Sequence, residues 1–243
     1  MRAGELTTLA VRLACEAREA FTRTHPDGAS IRVAGSISPL EDCFRPADSP
    51  GARAGAEHRV IARQLVDAGA DLLLIETMAR VDEARAAVAA AQGLGRPIWL
   101  AVVARADGRM LAGEPLSDLV AAVADLELQA LLLNCTELEH LGVALPALVA
   151  AAAPRPELWL GAYPHTGHHD PVHGWQTHAV APEDFAAQLA EHAAALPAIS
   201  LLGACCGSTP AWISALARRV QPGPEDRRRG FARLAAGTSR AIM

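Results

Sequence analysis

Aromatic side chains make up only 4% of this 243-residue chain, with a single tyrosine, although 51% of it is hydrophobic. A core of any size must therefore be assembled from Ala, Leu and Val rather than around large rings. No unbroken apolar stretch approaches the roughly 20 residues needed to cross a bilayer. The segment Met1-Arg2-Ala3-Gly4-Glu5 also lacks the apolar centre of an export signal. Basic residues are not in excess: 22 Lys and Arg against 27 Asp and Glu leave a net charge of -5, so no face for a nucleic-acid backbone is expected. The one basic run, Arg227 to Arg229, reads as solvated surface in a polar tail segment. Five cysteines without framework-like spacing suggest a reducing compartment, so the expectation is cytoplasmic. At this length one domain, residues 1–243, is the default.

What the chain does have is a series of short apolar runs that end in polar or thiol groups. Ile199-Ser200-Leu201-Leu202 leads into Gly203-Ala204-Cys205-Cys206-Gly207-Ser208-Thr209-Pro210. Adjacent side chains on a strand point to opposite faces, so Cys205 and Cys206 can converge only where the chain leaves the strand and turns. Thr209 as N-cap and Pro210 as first residue then open a helix with Trp212, Leu216 and Val220 on one face. A second run, Leu131-Leu132-Leu133-Asn134, ends in Cys135. Three thiolates suit zinc and leave its fourth position open, as catalytic sites do. Cys15, on an apolar helix face, and Cys43, in a loop, read as small buried hydrophobes.

The rest of the chain alternates helix and strand. Glu5 to Thr24 reads as a helix with Leu6, Leu9, Leu13, Ala17 and Ala20 inward, and Ile31 to Ser36 as a strand delivering Ser36 to a rim. A Pro/Gly-rich loop from Pro39 to Gly55 follows, then a helix facing inward with Val60, Ile61, Leu65 and Ala68. The strand from Asp71 to Thr77 carries Glu76 to the same rim, either to cap the next helix or to meet a substrate amine. A helix at Val81 to Gln92, a strand at Pro97 to Ala104, an Asp107-Gly108 turn and a helix face of Leu116, Leu119, Val120, Val123 and Leu126 precede the Cys135 strand. After it come a helix from Leu138 to Ala153, a strand at Glu157 to Gly161, the segment Tyr163-Pro164-His165, a polar loop to Val180 and a helix from Pro182 to Ala195. Such alternation implies a parallel sheet with helices outside it. Six strands fall short of a closed eight, leaving the strands at Ile31 and Ile199 with open edges that a second copy could pair. His165, His168, His169, His173 and His178 form a rival metal-ligand group, or a polar lid.

Asn134-Cys135 together with Gly203-Ala204-Cys205-Cys206-Gly207 resembles the zinc signature of the homocysteine S-methyltransferase family. Val33 to Ile37, Asp71 to Thr77, Asp107-Gly108-Arg109 with Gly113-Glu114-Pro115-Leu116, and Tyr163-Pro164 resemble further segments of it in the same order. The resemblance implies a (β/α)8 TIM-type barrel, here shortened at its N-terminal side to about six β/α units, since the family's first two strands have no counterpart. It also implies zinc on Cys135, Cys205 and Cys206, with Glu76 holding the homocysteine amino group and Asn134, Ser36, Thr77 and Tyr163 beside the substrate. Ala204, Ala79 and His165 stand where the family commonly has Gly, Pro and Asn.

The implied activity is methyl transfer to the homocysteine thiolate, giving methionine, from a small onium donor of the S-methylmethionine or S-adenosylmethionine type. With no adenosine-binding glycine fingerprint in the sequence, S-methylmethionine is preferred. The alternative is a shortened paralogue that binds zinc or a subunit with little turnover.

Overall fold

Runs of Leu, Ile, Val and Ala that are apolar on both faces are what a parallel sheet covered on both sides requires. In the computed structural model, which describes residues 3–26, 28, 30–170, 173–177, 180–220 and 241–243, they form such a sheet. The chain runs α1 (Ala3–Thr24), β1 (Ala34–Ile37), α2 (Gly55–Asp67), β2 (Leu72–Met78), α3 (Val81–Ala91), β3 (Ile98–Val102) and α4 (Leu116–Ala122). It continues through β4 (Ala130–Asn134), α5 (Leu141–Ala152), β5 (Trp159–Tyr163), β6 (His168–Asp170), β7 (Gly174–Gln176), α6 (Pro182–Ala195), β8 (Ile199–Leu202), α7 (Pro210–Arg219) and β9 (Ala241–Ile242).

The six expected strands pair in parallel in the order β1-β2-β3-β4-β5-β8, with β9 added beside β8. The arc is that of a barrel with one side open, as the strand count anticipates. One edge differs from expectation: Leu201 and Leu202 pair with Ala241 and Ile242, so β8 is partly covered while the outer edge of β1 carries no strand among the described residues. The polar loop before Val180 also holds an antiparallel pair, β6 with β7, that its composition does not announce. Arg227 to Arg229 and His178 lie outside the described residues.

Side chains alternate between two layers. Leu72, Leu74, Trp99, Ala101, Ala130, Leu132, Tyr163 and Leu201 fill the concave side, and Leu73, Ile75, Leu100, Val102, Leu131 and Leu133 pack outward on the helices. Gly161 is required where β5 meets β8, because a Cβ there would lie 2.1 Å from the Leu201 carbonyl oxygen.

Two helices depart from the expected faces, α1 throughout and α2 at Val60, while Leu65, Ile61 and Ala68 of α2 do face the core. In α1, Leu6, Leu9 and Leu13 are exposed and Val11 is the buried residue, because α1 packs chiefly on α2 and turns its Leu stripe away from it. In α2, Val60 is exposed while His58, Ala62 and Leu65 are buried. His58 reads as polar in sequence, yet it is sealed inside because Glu83 of α3 lies 3.3 Å from its Nε2.

Glu83 gathers the β1–α2 connection. It accepts from the Leu40 backbone N–H at 3.0 Å and from the Ser49 hydroxyl, while Ser49 in turn accepts from the Gly51 N–H. Burial pushes the Glu83 carboxyl up, but hydrogen bonds from His58, Ser49 and Leu40 outweigh it and hold it below the ordinary 4.5. Since the folded value lies below the unfolded one, this stabilisation is complete above about pH 4.5 and is lost as pH falls through the lower, folded value. Glu83→Gln is expected to cost about 2 kcal/mol at pH 7. Urea midpoints at pH 7 and pH 3 check it: the gap to the unmodified chain should shrink at the lower pH.

Candidate metal centre

Cys135 leaves the end of β4, and Cys205 and Cys206 leave the end of β8, with β5 between those two strands. Neighbouring strands lie about 4.8 Å apart, so the two turns start roughly 10 Å from each other and must lean together across β5. The chain leaving β5 draws them in. Pro164 accepts from the Cys205 N–H at 2.9 Å, the Thr166 N–H donates to the Cys206 carbonyl at 3.0 Å, and the His165 N–H donates to Thr136. Cys135 has a φ of 45°, in the left-handed region that L-residues other than Asn and Asp seldom occupy, and Gly207 closes the Cys-Cys turn at a φ of 81°. Thr209 caps α7 as expected, accepting from the Ala211 N–H, with Pro210 first in the helix.

The result is a single cluster. Cys135, Cys205 and Cys206 are the one group of three or more metal-ligating side chains that converge among the described residues. The sulfurs of Cys206 lie 3.7 Å from Cys135 and 3.8 Å from Cys205. Zinc–sulfur bonds of about 2.3 Å put tetrahedral ligands roughly 3.8 Å apart, so these two edges fit the ion. The third edge, Cys135 to Cys205, is 2.7 Å and would open by about 1 Å around a metal of that radius.

The protons of the cluster are unevenly shared. Hydrogen bonds from Cys135 and Cys205 pull Cys206 down to about 2, against its burial and with help from His165. Cys135 is pushed far above the thiol range, first by its bonds to Cys205 and Cys206 and then by burial. In Cys205 the bond with Cys135 pulls down, but the bond to Cys206, burial and the Cys206 charge outweigh it and leave it at about 12. The bonds within the cluster thus favour the thiolate on Cys206 and the thiol on Cys135 and Cys205.

Glu76 faces across the barrel mouth. Its Oε2 accepts from the Tyr163 hydroxyl at 3.0 Å and its Oε1 from the Ser36 hydroxyl at 2.5 Å. Helix α3, which Glu76 could have capped, has its Val81 N–H satisfied by Glu114 instead. Burial, then the Glu76 charge, push Tyr163 well above the ordinary phenol range, so it remains a donor; the nearby Cys205 and Cys135 add to this.

Asn134 and Thr77, expected beside the substrate, bond to each other. The Thr77 N–H donates to Asn134 Oδ1 at 3.0 Å, and Asn134 Nδ2 donates to the Thr77 hydroxyl at 2.8 Å. Asn134 is wholly buried. The register of β2 against β3 shifts between Ile75 and Met78, where Thr77 has a φ of 62°. A bulge of this kind re-aims side chains. It turns Met78 to the helix-side core and lets successive residues Glu76 and Thr77 both serve the rim. Each left-handed residue of this type costs on the order of 1–3 kcal/mol that its surroundings must offset.

Three groups escape the sequence reading. Thr136, nearly inaccessible, accepts from the Ala104 N–H and donates to the Asn134 carbonyl, and its place after a strand-end cysteine was the available signal. Glu137 lies 2.9 Å from Nε2 of the buried His165. Cys43 is half-buried; burial, Asp42 and the charge of Cys206 raise it, which puts the loop after β1 within electrostatic reach of the cluster. Cys15 donates to the Gly69 carbonyl, away from the site. Among the described residues the histidines do not assemble: His168 and His173 are exposed, while His165 is buried beside Glu137.

The chain as a whole is similar to known proteins. The family model described as homocysteine S-methyltransferase matches residues 1–220. The homocysteine S-methyltransferase of Escherichia coli (strain K12) is 34% identical over 224 residues, which span 86% of this chain and 69% of that protein. Among solved structures, the metallated form of the homocysteine methyltransferase MmuM from Escherichia coli superposes with a TM-score of 0.73 at 30% identity, covering 89% of this chain and 70% of that one. Its apo form gives 0.71 at 30% identity over 89% and 73%. A dihydrodipicolinate synthase from Cyanidioschyzon merolae, at 13% identity and a TM-score of 0.50, shares the fold alone. A match that runs through nearly every element from α1 to α7, at an identity well above that of the fold-only neighbour, settles the kinship: the chain belongs to the homocysteine S-methyltransferase family, a family of methyltransferase enzymes.

Proposed function

We propose that this chain methylates homocysteine to methionine, using a zinc ion held by Cys135, Cys205 and Cys206 and a small onium methyl donor, for which S-methylmethionine is the preferred candidate. The observation that carries the reading is the convergence of three thiols, two of whose edges match a zinc tetrahedron, on the rim that also carries Glu76. Zinc bound there would take the homocysteine sulfur in its open position and hold it as a thiolate at neutral pH, where a free thiol is mostly protonated. The Glu76 carboxylate pairs with the substrate ammonium, and Ser36 and Tyr163 fix its two oxygens. In the transfer, the sulfur lone pair forms the new carbon–sulfur bond as the methyl bond of the donor breaks, its electron pair leaving with the neutral thioether. The wider setting remains as composition suggests, a cytoplasmic enzyme, and no described helix is long and apolar enough to cross a membrane.

A second reading, a zinc-binding or subunit-interaction protein with weak turnover, draws on the edge of β1, unpaired among the described residues, and the exposed Leu6, Leu9, Leu13 and Phe21 on α1. Open edges and apolar stripes invite pairing with another chain. On that reading light scattering would show mass rising with concentration, and methionine formation from S-methylmethionine would be weak. A monodisperse monomer with full methyl transfer would leave only the first reading.

Metal analysis after purification without added metal should find about one zinc per chain. Cys205→Ser should lose it, whereas His168→Ala and His173→Ala should keep it; the reverse pattern would move the site to the histidines. Because thiol protons must leave before the metal binds, affinity should weaken steeply as pH falls. Chelator competition at pH 6, 7 and 8 reads this slope.

Glu76→Ala should weaken homocysteine binding by about 3 kcal/mol, since one partner of a desolvated charge pair is removed, while zinc content stays unchanged. Calorimetric titration of the zinc-loaded variant with homocysteine checks it. Equal affinity would show that the substrate amine binds elsewhere.

A further inference from the structure

Asn134 and Thr77 meet each other beside the sulfur cluster. They belong to β4 and β2, strands separated by β3, so their contact spans the mouth of the sheet. Both polar atoms of the Asn134 side chain are committed to Thr77, one accepting from its N–H and the other donating to its hydroxyl. A threonine hydroxyl has one proton and two lone pairs. With a lone pair occupied by Asn134 Nδ2, its proton is directed onward, and the atom within reach is the Cys135 sulfur at 3.9 Å. The two left-handed non-glycine residues described in the chain, Thr77 and Cys135, sit at the ends of this chain of bonds. Thr136 fixes the opposite side of the same turn through Ala104.

We infer that Asn134 and Thr77 are positioning residues for the metal centre: Asn134 orients the Thr77 hydroxyl, and that hydroxyl anchors the Cys135 sulfur where Cys205 and Cys206 converge. This rests on the metal reading above, but gives the two residues a different task from substrate contact. Their backbone strain has a matching explanation, because an unstrained β2 end would turn the Thr77 hydroxyl to the helix side, away from the sulfur. Outer groups that orient a ligand typically change metal affinity by about 10–100-fold when removed.

Thr77→Val and Thr77→Ser separate the hydroxyl from everything else. Val keeps the branched shape and the backbone N–H that donates to Asn134; Ser keeps the hydroxyl. Asn134→Ala removes both clamp bonds. Each chain is titrated with Co2+, whose thiolate charge-transfer absorption reports sulfur ligation, and with Zn2+ against a chelator; homocysteine affinity is measured on the zinc-loaded protein, and thermal melting of the metal-free protein monitors folding. Expected are a loss of about tenfold in metal affinity for Thr77→Val, up to about a hundredfold for Asn134→Ala, and affinity within about twofold of the unmodified chain for Thr77→Ser. The charge-transfer band should weaken in Thr77→Val at saturating Co2+ although its melting temperature is unchanged. If Asn134→Ala fails to fold, the Val and Ser pair still decides the matter. A full thiolate band with unchanged metal affinity in Thr77→Val overturns the clamp alone, and an accompanying loss of homocysteine affinity returns Thr77 to substrate binding. An unmodified chain that shows no thiolate band at all would sink the metal reading and this inference with it.

Discussion

The site depends on bringing sulfurs from strands β4 and β8 to one point across the intervening β5. Nothing in regular strand geometry does this, since strand ends two apart are separated by roughly 10 Å and successive side chains diverge. The distance is closed by exit turns that bond to one another. Residues 164–166 of the β5 exit tie both cysteine turns, and Thr136 ties the Cys135 turn to Ala104 beyond β3. Gly161 lets β5 and β8 approach closely just below. Buried backbone groups at these exits find partners in neighbouring turns, so the same bonds satisfy the backbone and aim the thiols.

The strands and their chemical ends were legible because a parallel sheet with both faces covered leaves unbroken apolar runs, and the residue that ends such a run stands on the rim. Leu72 to Ile75 and Leu131 to Leu133 could hardly be anything else, and Glu76 and Cys135 follow directly. Side-chain direction beyond the last regular residue was not legible. Strict alternation would send Glu76 and Thr77 to opposite faces; the bulge at Thr77 decides otherwise, and no residue type in that stretch encodes a bulge in the way a glycine would. The same gap concealed the partnership of Asn134 with Thr77, which lies two strands away. Helix faces failed for a different reason. In α1 both the Leu6 stripe and the Val11 stripe are apolar enough to pack, and the neighbour, α2, made the choice. In α2 the buried His58 is tolerable only because Glu83 answers it from another helix. Such choices belong to tertiary contacts, and periodicity within a single helix does not carry them.

Position along the sheet also separates the two functional readings. The thiols follow the ends of β4 and β8, within the paired sheet and with β9 beyond them; Ser36 stands on β1, whose outer edge carries no strand among the described residues. Glu76 on β2 lies between these regimes, steadied from one side by the buried Tyr163 and from the other by the exposed Ser36. Anything that loosens β1 reaches the carboxylate directly through Ser36, whereas the described bonds among the thiol turns run through the β5 exit, Thr136 and Thr77. The sulfur cluster and the carboxylate are thus held by largely different sets of bonds. On the proposed function, loosening β1 would weaken the hold on the substrate amine more than the hold on the metal. If the proposed function holds, the β1 edge bears on substrate handling and the bonds among the rim turns bear on the metal.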